Sequence, residues 1–276
     1  MSRSNRWGCS QALDLPEIGE YLNTVSASKR IEKLDSIEME PEIAGILSQK
    51  ASLRALYLES YEKYRGILAQ CPPDGVALEI GSGAGFLREV LPEVVTSDVL
   101  PYAGIDRVVD ARDLPFGDGE LRALFMVNVL HHIPDCGAFF AELVRCLKPG
   151  GRALLIDVHP GLICLFVLKF GIHEPYNPDA KDWAFDSSGP LTGANTALAH
   201  MIFKRDRKLF EERFPELGIV RYHPHTPLRY WLTGGLKSWS LLPGWAFPAA
   251  THFDRALAYL CPWLASFVDI ELVRKP

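Results

Sequence analysis

Apolar side chains recur at helical spacing in the first strongly patterned part of the chain. From Pro41 to Gln70 they return every three or four residues, which predicts an amphipathic helix, and proline suits its first position. The turn sequence CPPDG at 71–75 ends this segment. The residues before Pro41 are polar and weakly patterned. We therefore expect a partly mobile N-terminal extension over 1–40 and a single domain over 41–276.

Short apolar runs then alternate with helical segments along most of the remaining chain. The predicted helices cover 86–91, 137–147 and 203–214. Strands that alternate with helices form right-handed crossovers and place parallel strands side by side. The pattern therefore predicts an α/β fold with a mostly parallel sheet covered by helices on both faces. The predicted strands are 76–80, 94–97, 105–109, 121–127, 153–158, 218–222 and 267–273.

The pattern loosens after Asp157. Residues 159–200 are rich in Pro, Asn, Gly and aromatic side chains, and a long stretch without periodicity is usually a functional insertion or a lid. The segment 226–265 holds four of the six tryptophans. It is either a helical cap on the sheet with a ligand pocket beneath it, or an apolar surface for a membrane interface, and we favour the cap. We predict insertions at about 159–214 and 226–265.

Charge and cysteine content narrow the class of protein. The chain has 276 residues, of which 48% are apolar and 23% charged, as in an ordinary folded domain. Its formal net charge of −5 disfavours a nucleic-acid partner. None of the six cysteines has CxxC or zinc-ligand spacing, so we expect no metal site. The N-terminal sequence lacks the apolar core of a signal peptide, and the apolar run 162–168 is too short to span a membrane, which favours a cytoplasmic protein.

Three glycines follow the first predicted strand in the sequence LEIGSGAGF at 78–86. Glycine allows a tight turn and lets a ligand approach the backbone, and the helix that follows offers free N–H groups to an anionic or carboxylate-bearing cofactor. A dinucleotide-binding fold needs a glycine or alanine at the sixth position, where this chain has Phe86. The pattern E-x-G-x-G-x-G instead resembles motif I of the class I S-adenosylmethionine (SAM)-dependent methyltransferases.

The resemblance extends over about 76–158. The chain is similar to the methyltransferase type 11 group. Each matching segment lies at the end of a predicted strand, which makes the set much more specific than any one of them. These segments are VVTSD at 94–98, VVDARDLPF at 108–116, NVLHHIPD at 128–135 and LKPGGRALLID at 147–157. The later segments HEPYNP at 173–178, GANTAL at 193–198 and WLTGGL at 231–236 resemble an uncharacterised bacterial subgroup of the type 11 group.

The resemblance implies a Rossmann-like class I methyltransferase fold, with a mostly parallel seven-stranded sheet, helices on both faces, and insertions that form a lid. It implies SAM as cofactor and S-adenosylhomocysteine as product. Asp98 would hold the ribose hydroxyls, because the rival Asp106 lies too near the third strand. The implied cofactor residues are Glu79, Gly81, Ser82, Gly83, Gly85, Asp98, Val99, Asp110, Ala111 and Asn128.

Methyl transfer is an in-line displacement, so the protein mainly has to align the reacting atoms, which contributes roughly 7–11 kcal/mol. A base is needed only when the nucleophile carries a tightly held proton. His131, His132 and His159 follow predicted strands, and we name His132 and His159 as candidate catalytic residues, although a structural role for His132 is the commoner one. We interpret His223 and His225 as surface histidines at a strand end. The candidate substrate residues are Tyr102, His173, Glu174, Tyr176 and Trp231.

The sequence therefore predicts a SAM-dependent methyltransferase that acts on a small-molecule or lipid-like acceptor, and membrane-surface contact through 226–265 stays open. A second hypothesis is a SAM-binding regulator or scaffold without activity. A third, a nicotinamide-dependent oxidoreductase, is disfavoured by Phe86. The acceptor atom and the oligomeric state do not follow from the sequence.

Overall fold

The computed structural model describes residues 35–170, 174–187 and 189–276. Within them, seven strands form one sheet in the spatial order β3-β2-β1-β4-β5-β7-β6. The strands are β1 Val76–Ile80, β2 Val94–Asp98, β3 Arg107–Val108, β4 Leu121–Val127, β5 Leu147–Val158, β6 Leu217–His225 and β7 Phe267–Arg274.

The sheet is mostly parallel. Strands β3, β2, β1, β4 and β5 run parallel to their neighbours, whereas β7 pairs antiparallel with both β5 and β6. After β1 the chain continues to β2 on one side of the sheet, and after β4 it continues to β5 on the other side. The strand order therefore reverses between β1 and β4. This topology confirms the predicted Rossmann-like α/β fold with a seven-stranded, mostly parallel sheet.

Helices cover both faces of the sheet and build its rim. The α-helices are α1 Glu40–Gln49, α2 Ala51–Leu68, α3 Leu87–Val90, α4 Cys136–Cys146, α5 Leu162–Phe170, α6 Leu198–His200, α7 Arg207–Arg213, α8 Arg229–Thr233 and α9 Phe247–Leu260. A π-helical turn, Met201–Arg205, continues α6, and 3₁₀ turns cover Ile37–Met39, Leu130–His132, Gly244–Ala246 and Pro262–Leu264.

Two hydrophobic clusters hold these helices on the sheet. On one face, Phe140 of α4 packs edge-on against Phe203 and Phe210, with ring centroids 5.8 and 5.1 Å away. On the other face, Tyr64 of α2 stacks on Phe125 of β4 at 4.2 Å. All five rings are buried. The sheet is therefore covered on both sides, as a parallel sheet requires.

The structure corrects the prediction of one continuous helix over 41–70. The helix is broken at Lys50, which separates α1 from α2. The Lys50 ammonium group donates hydrogen bonds to the carbonyl oxygens of Gly235 and Lys237, at 2.6 and 2.9 Å. The break thus lets a buried cation reach the backbone of the C-terminal segment, a contact that helical periodicity cannot reveal.

Two further boundaries differ from the predicted ones. Strand β5 begins at Leu147 rather than at residue 153, because Leu147 pairs with Leu121 ahead of the glycine turn. The segment after residue 158 also contains a regular helix, α5, that was expected to lack periodic structure. Its sequence is almost wholly apolar, so it carries no alternation of polar and apolar faces to identify it. Leu162 and Phe166 of this helix are exposed.

The predicted division at residue 40 remains a prediction, because most of 1–40 lies outside the described residues. In the described part of that segment, the Asp35 carboxylate accepts hydrogen bonds from the backbone N–H groups of Leu191 and Thr192, at 2.6 and 3.0 Å. Within the described residues, none of the helices combines the length and the apolar character that a membrane crossing needs.

A buried ion cluster ties the C-terminal helices to the rest of the fold. The Arg229 guanidinium of α8 donates to both Glu59 oxygens of α2, at 2.8 and 3.0 Å, and to Asp254 of α9, at 3.0 Å. The Asp254 side chain is only 1% exposed. Arg229 thus joins three helices and keeps a buried carboxylate paired.

Replacing Arg229 by alanine should lower the free energy of unfolding by about 3–5 kcal/mol, because Asp254 would remain buried without its cation. Urea denaturation measures this. The matched control is Arg207→Ala, which breaks an exposed pair with Glu211 and should cost less than about 0.5 kcal/mol. An equal loss of unfolding free energy in the two variants would contradict the stabilising role of Arg229.

Candidate functional site

A large cavity opens at the carboxyl ends of β1, β2 and β4, beside the point where the strand order reverses. Its volume is about 760 Å³, and we call it the main cavity. Open α/β sheets bind ligands at this position because the loops there diverge and leave a crevice. All ten predicted cofactor residues line it: Glu79, Gly81, Ser82, Gly83, Gly85, Asp98, Val99, Asp110, Ala111 and Asn128.

The glycine loop accepts no larger residue at two of its positions. Gly81 has a φ of +73°, and a β-carbon on it would lie 2.2 Å from a methyl carbon of Val129. A β-carbon on Gly85 would lie 2.7 Å from the carbonyl oxygen of Ser82. The loop is therefore a close backbone turn with its chain facing the cavity, as a ligand-binding glycine loop requires.

Glu79 is a buried carboxyl group at the end of β1. It accepts hydrogen bonds from the Ser82 hydroxyl, at 2.6 Å, and the Tyr64 hydroxyl, at 3.1 Å. Burial raises its pKa, the two donors oppose that effect, and the nearby Asp98 adds to it, so that the pKa is about 7. Glu79 is thus poised to lose a proton when a cation enters the cavity.

Asp98 ends β2 and faces the glycine loop. Its two carboxylate oxygens accept from the backbone N–H groups of Gly83, at 2.9 Å, and Leu100, at 3.0 Å. Burial raises its pKa. The rival acid, Asp106, instead accepts from the backbone and hydroxyl of Thr96, and it does not line the main cavity. Of the two acids, Asp98 alone has the position expected of a ribose ligand.

The end of the cavity near β3 contains an ion pair. The Asp110 carboxylate accepts from Arg112 at Nε, 3.0 Å, and at Nη2, 2.7 Å, and this bonding lowers its pKa. Arg112 also lines the cavity, which the sequence analysis did not anticipate. Val99 and Tyr102 line the same end, so the predicted substrate residue Tyr102 lies among the predicted cofactor residues.

Asn128 follows β4 in a strained conformation. Its φ is +57°, in the left-handed region that most side chains avoid. Its backbone N–H donates to the carbonyl of Ile156 at 2.8 Å, and its buried side-chain oxygen has no hydrogen-bond partner among the described residues. An unsatisfied acceptor held in a strained turn is a common feature of ligand-binding sites.

The two histidines after β4 have different partners. His131 places Nδ1 2.7 Å from the buried carboxylate of Asp157, and its Nε2 lies 3.8 Å from Glu174. Burial alone would lower the pKa of His131, but the attraction of Asp157, and then of Glu174, raises it above its usual value. His132 places Nδ1 3.0 Å from the Gly193 carbonyl oxygen. Burial, reinforced by repulsion from His131, lowers the pKa of His132 to about 3.

Both neighbouring histidines line the main cavity, but the candidate His159 does not. The His159 ring lies 3.1 Å from the Tyr222 hydroxyl of β6, and burial lowers its pKa to about 4. The sequence placed it after β5 correctly, but strand adjacency could not tell which neighbour its ring would meet. Of the two histidines named as catalytic, the structure brings His132 alone to the cavity.

The predicted substrate residues are divided among different places. Glu174 and Trp231 line the main cavity, and the Trp231 indole donates to the Ser266 hydroxyl at 2.7 Å. Tyr176 packs against the hydrophobic cluster of α4 instead. His173 lies outside the described residues.

A second cavity of about 470 Å³, which we call the side cavity, adjoins the first between α2, β6, α8 and α9. The sequence predicts a pocket beneath a cap formed by 226–265, but not its other walls, which come from distant parts of the chain. His223 and His225 both line the side cavity; His223 is exposed, as interpreted from the sequence, whereas the His225 side chain is only 19% exposed. The His225 ring lies 2.9 Å from the buried Asp269. Five residues line both cavities: Tyr57, Val127, Asn128, Tyr230 and Phe267.

Comparison with known proteins adds a family match at the same place in the chain. Residues 78–155 match the family model described as a methyltransferase domain of type 11. A ubiquinone/menaquinone biosynthesis C-methyltransferase of Desulfotalea psychrophila is 36% identical over 80 residues, which are 29% of this chain and 32% of that protein. A fatty-acid O-methyltransferase of Mycolicibacterium smegmatis is 31% identical over 142 residues, which cover 45% of this chain and 51% of that protein.

The chain thus spans about a third to a half of the length of these two relatives. Among solved structures, a geranyl diphosphate C-methyltransferase of Streptomyces coelicolor aligns over 80% of each chain, with 17% identity and a TM-score of 0.45. The matched region carries β1, the glycine loop, Asp98, Asn128 and the greater part of β5. Residues 78–155 therefore match a type 11 methyltransferase domain, and they lie in a sheet with the strand order of a Rossmann-like α/β fold.

Proposed function

We propose that the protein transfers a methyl group from SAM to a small-molecule acceptor. The observation that carries the proposal is the convergence of all ten predicted cofactor residues on one cavity at the strand reversal. The family match supports the same activity, since it covers the glycine loop and the ends of the three strands that follow it. Phe86 is buried against Tyr61, with ring centroids 5.2 Å apart, so its position cannot supply the small residue of a dinucleotide fold.

The cavity residues suit the chemical groups of SAM. The glycine loop lets the methionine end of SAM approach the backbone closely, and Glu79 would pair with its α-ammonium group. Asp98 keeps further acceptor capacity for two ribose hydroxyls, and Ala111 with Asp110 would meet the adenine edge. The unsatisfied oxygen of Asn128 is available at the end of β4. Bound in this way, SAM supplies a sulfonium methyl group that is open to in-line displacement.

His131 is the best candidate for a general base. Because the Asp157 carboxylate accepts from Nδ1–H, it fixes the tautomer that leaves Nε2 free to accept a proton. We therefore propose His131 as the base in place of His132, whose pKa of about 3 makes it a poor proton acceptor near neutral pH.

The acceptor is proposed to be apolar or lipid-like in part. Leu47, Leu236 and Trp231 contribute apolar lining to the main cavity. The two relatives act, by their names, on quinones and on fatty acids. Exposed aromatic side chains such as Trp245 and Trp263 keep membrane-surface contact through 226–265 as a proposal for how such an acceptor is reached.

Binding of S-adenosylhomocysteine tests the cofactor assignment. Asp98→Ala should weaken binding about tenfold to a hundredfold, the effect of losing hydrogen bonds to a charged group. Isothermal titration calorimetry measures the change. Asp118→Ala is the matched control, because Asp118 is exposed and lies outside the cavity, and it should leave the affinity unchanged. If the wild type shows no saturable binding, the proposed cofactor is wrong.

Proton release tests the state of Glu79. With a pKa of about 7, Glu79 should ionise when the α-ammonium group binds. The affinity for S-adenosylhomocysteine should therefore rise from pH 5.5 to 7, by up to about tenfold per pH unit, and then level off. Calorimetry in buffers of different ionisation enthalpy should detect a released proton for the wild type and none for Glu79→Gln. An identical proton count for both proteins would refute this role.

The pKa of His131 tests the proposed base. NMR titration of histidine side chains should place its pKa above 6.5 and that of His132 near 3. Asp157→Asn should bring the His131 pKa below 6.5, because burial then acts without the opposing carboxylate. Since the base must be unprotonated, methyl transfer should rise with pH through the His131 pKa, and His131→Gln should lower the rate about 10²–10⁴-fold. An unchanged rate in His131→Gln would exclude it as the base.

A further inference from the structure

The side cavity carries positive charge at its outer end. Arg221 and Arg255 line it and are 45% and 65% exposed. Their nearest carboxylate oxygens are 3.6 Å away for Arg221, on Asp269, and 3.7 Å away for Arg255, on Glu59. These separations are longer than charge-assisted hydrogen bonds, so both guanidinium groups keep donors for another anion.

The carboxylates of this cavity already have other partners. Asp269 lies 2.7 Å from the Lys63 ammonium group and 2.9 Å from the His225 ring. Glu59 is bound through both oxygens by Arg229. Arg229 also pairs with Asp254, so Arg255 balances the charge of Glu59. Asp269 is paired with Lys63, and Glu271 is paired with Arg152. One net positive charge therefore remains on Arg221, and both exposed guanidinium groups face the cavity with free donors.

The inner end of the side cavity is aromatic and apolar. Tyr57, Tyr230 and Phe267 line both cavities, and the Tyr230 and Phe267 rings pack edge to face with centroids 4.8 Å apart. Asn128 stands at the same junction. From outside to inside, the lining thus changes from guanidinium groups to aromatic rings and ends at a residue of the proposed cofactor site.

We propose that the side cavity binds the methyl acceptor, and that the acceptor is an amphipathic molecule with a carboxylate or phosphate group. The anionic group binds at Arg221 and Arg255, and the apolar body extends past Tyr230 and Phe267 towards Asn128. This inference deepens the proposed function and rests on it for the identity of the reaction. It also fixes a direction, since the anionic group lies at the end remote from the transferred methyl group.

That direction separates two kinds of acceptor. A carboxylate that itself receives the methyl group has to reach the main cavity, where neither Arg221 nor Arg255 contributes lining. In an acceptor of the second kind, the reacting atom and the anionic group are at opposite ends of the molecule. Its anionic group can then bind at the arginines while its reacting atom lies near Asn128. The geometry therefore points to methylation of an atom distant from the acid group.

Four eight-carbon probes test the site: octyl phosphate, octanoate, octanol and octylammonium. Calorimetry is done on the full chain, with and without saturating S-adenosylhomocysteine. The two anions should bind about tenfold or more tightly than octanol, and octylammonium should bind weakest. Arg221→Gln/Arg255→Gln should abolish the preference for the anions. Lysine at both positions should restore most of it, and the control Arg207→Gln should leave it intact.

Affinity for the anions that equals that of octanol, or a preference that survives in the double glutamine variant, would overturn the proposal. Displacement of S-adenosylhomocysteine by octyl phosphate would overturn it as well, because the two ligands should occupy adjoining cavities together. Failure of the proposed function gives a different result: S-adenosylhomocysteine does not bind, while octyl phosphate binds in an arginine-dependent way.

Discussion

The close approach of Gly81 to Val129 is the constraint on which the site depends. Strands β1 and β4 are neighbours, and the chain leaves them in opposite directions, towards β2 and towards β5. A β-carbon on Gly81 would lie 2.2 Å from the Val129 side chain, so only glycine lets the two loops pass each other. Because they pass so closely, the glycine loop and the Asn128–His132 segment form two walls of one crevice. A larger residue at 81 would clash with Val129 unless the two walls moved apart.

Within that crevice, partners rather than residue types decide which groups are charged. His131 and His132 are adjacent in sequence, with ring centroids 4.2 Å apart. One has a buried carboxylate as partner and the other has a backbone carbonyl, so their pKa values move in opposite directions. Glu79 has only hydroxyl donors, and burial therefore dominates its pKa. The fold thus provides one basic imidazole, one neutral imidazole and one carboxyl group near its titration point, all on the same cavity.

The parts of the site that the sequence predicted well are local. The glycine loop, Asp98 and Asn128 each follow directly from a strand, and parallel strands bring their carboxyl ends to the same edge of the sheet. The break at Lys50 and the position of His159 could not be predicted, because each depends on a partner far along the chain, at Gly235 and at Tyr222 respectively. A pocket beneath the 226–265 cap was predicted, but its walls from α2 and β6 were not, for the same reason. Its walls combine α2, β6, α8 and α9, which only the antiparallel end of the sheet brings together.

The meeting point of the two cavities gives Asn128 its importance. A left-handed conformation costs a side-chain-bearing residue about 1–2 kcal/mol, and asparagine tolerates it better than most. The hydrogen bond from its backbone to Ile156 holds the turn at the end of β4. Because Asn128 lines both cavities, the proposed cofactor and acceptor would meet beside it. Alignment is the main contribution that a protein can make to an in-line displacement, and a strained turn fixed by the sheet supplies it more rigidly than a mobile loop could.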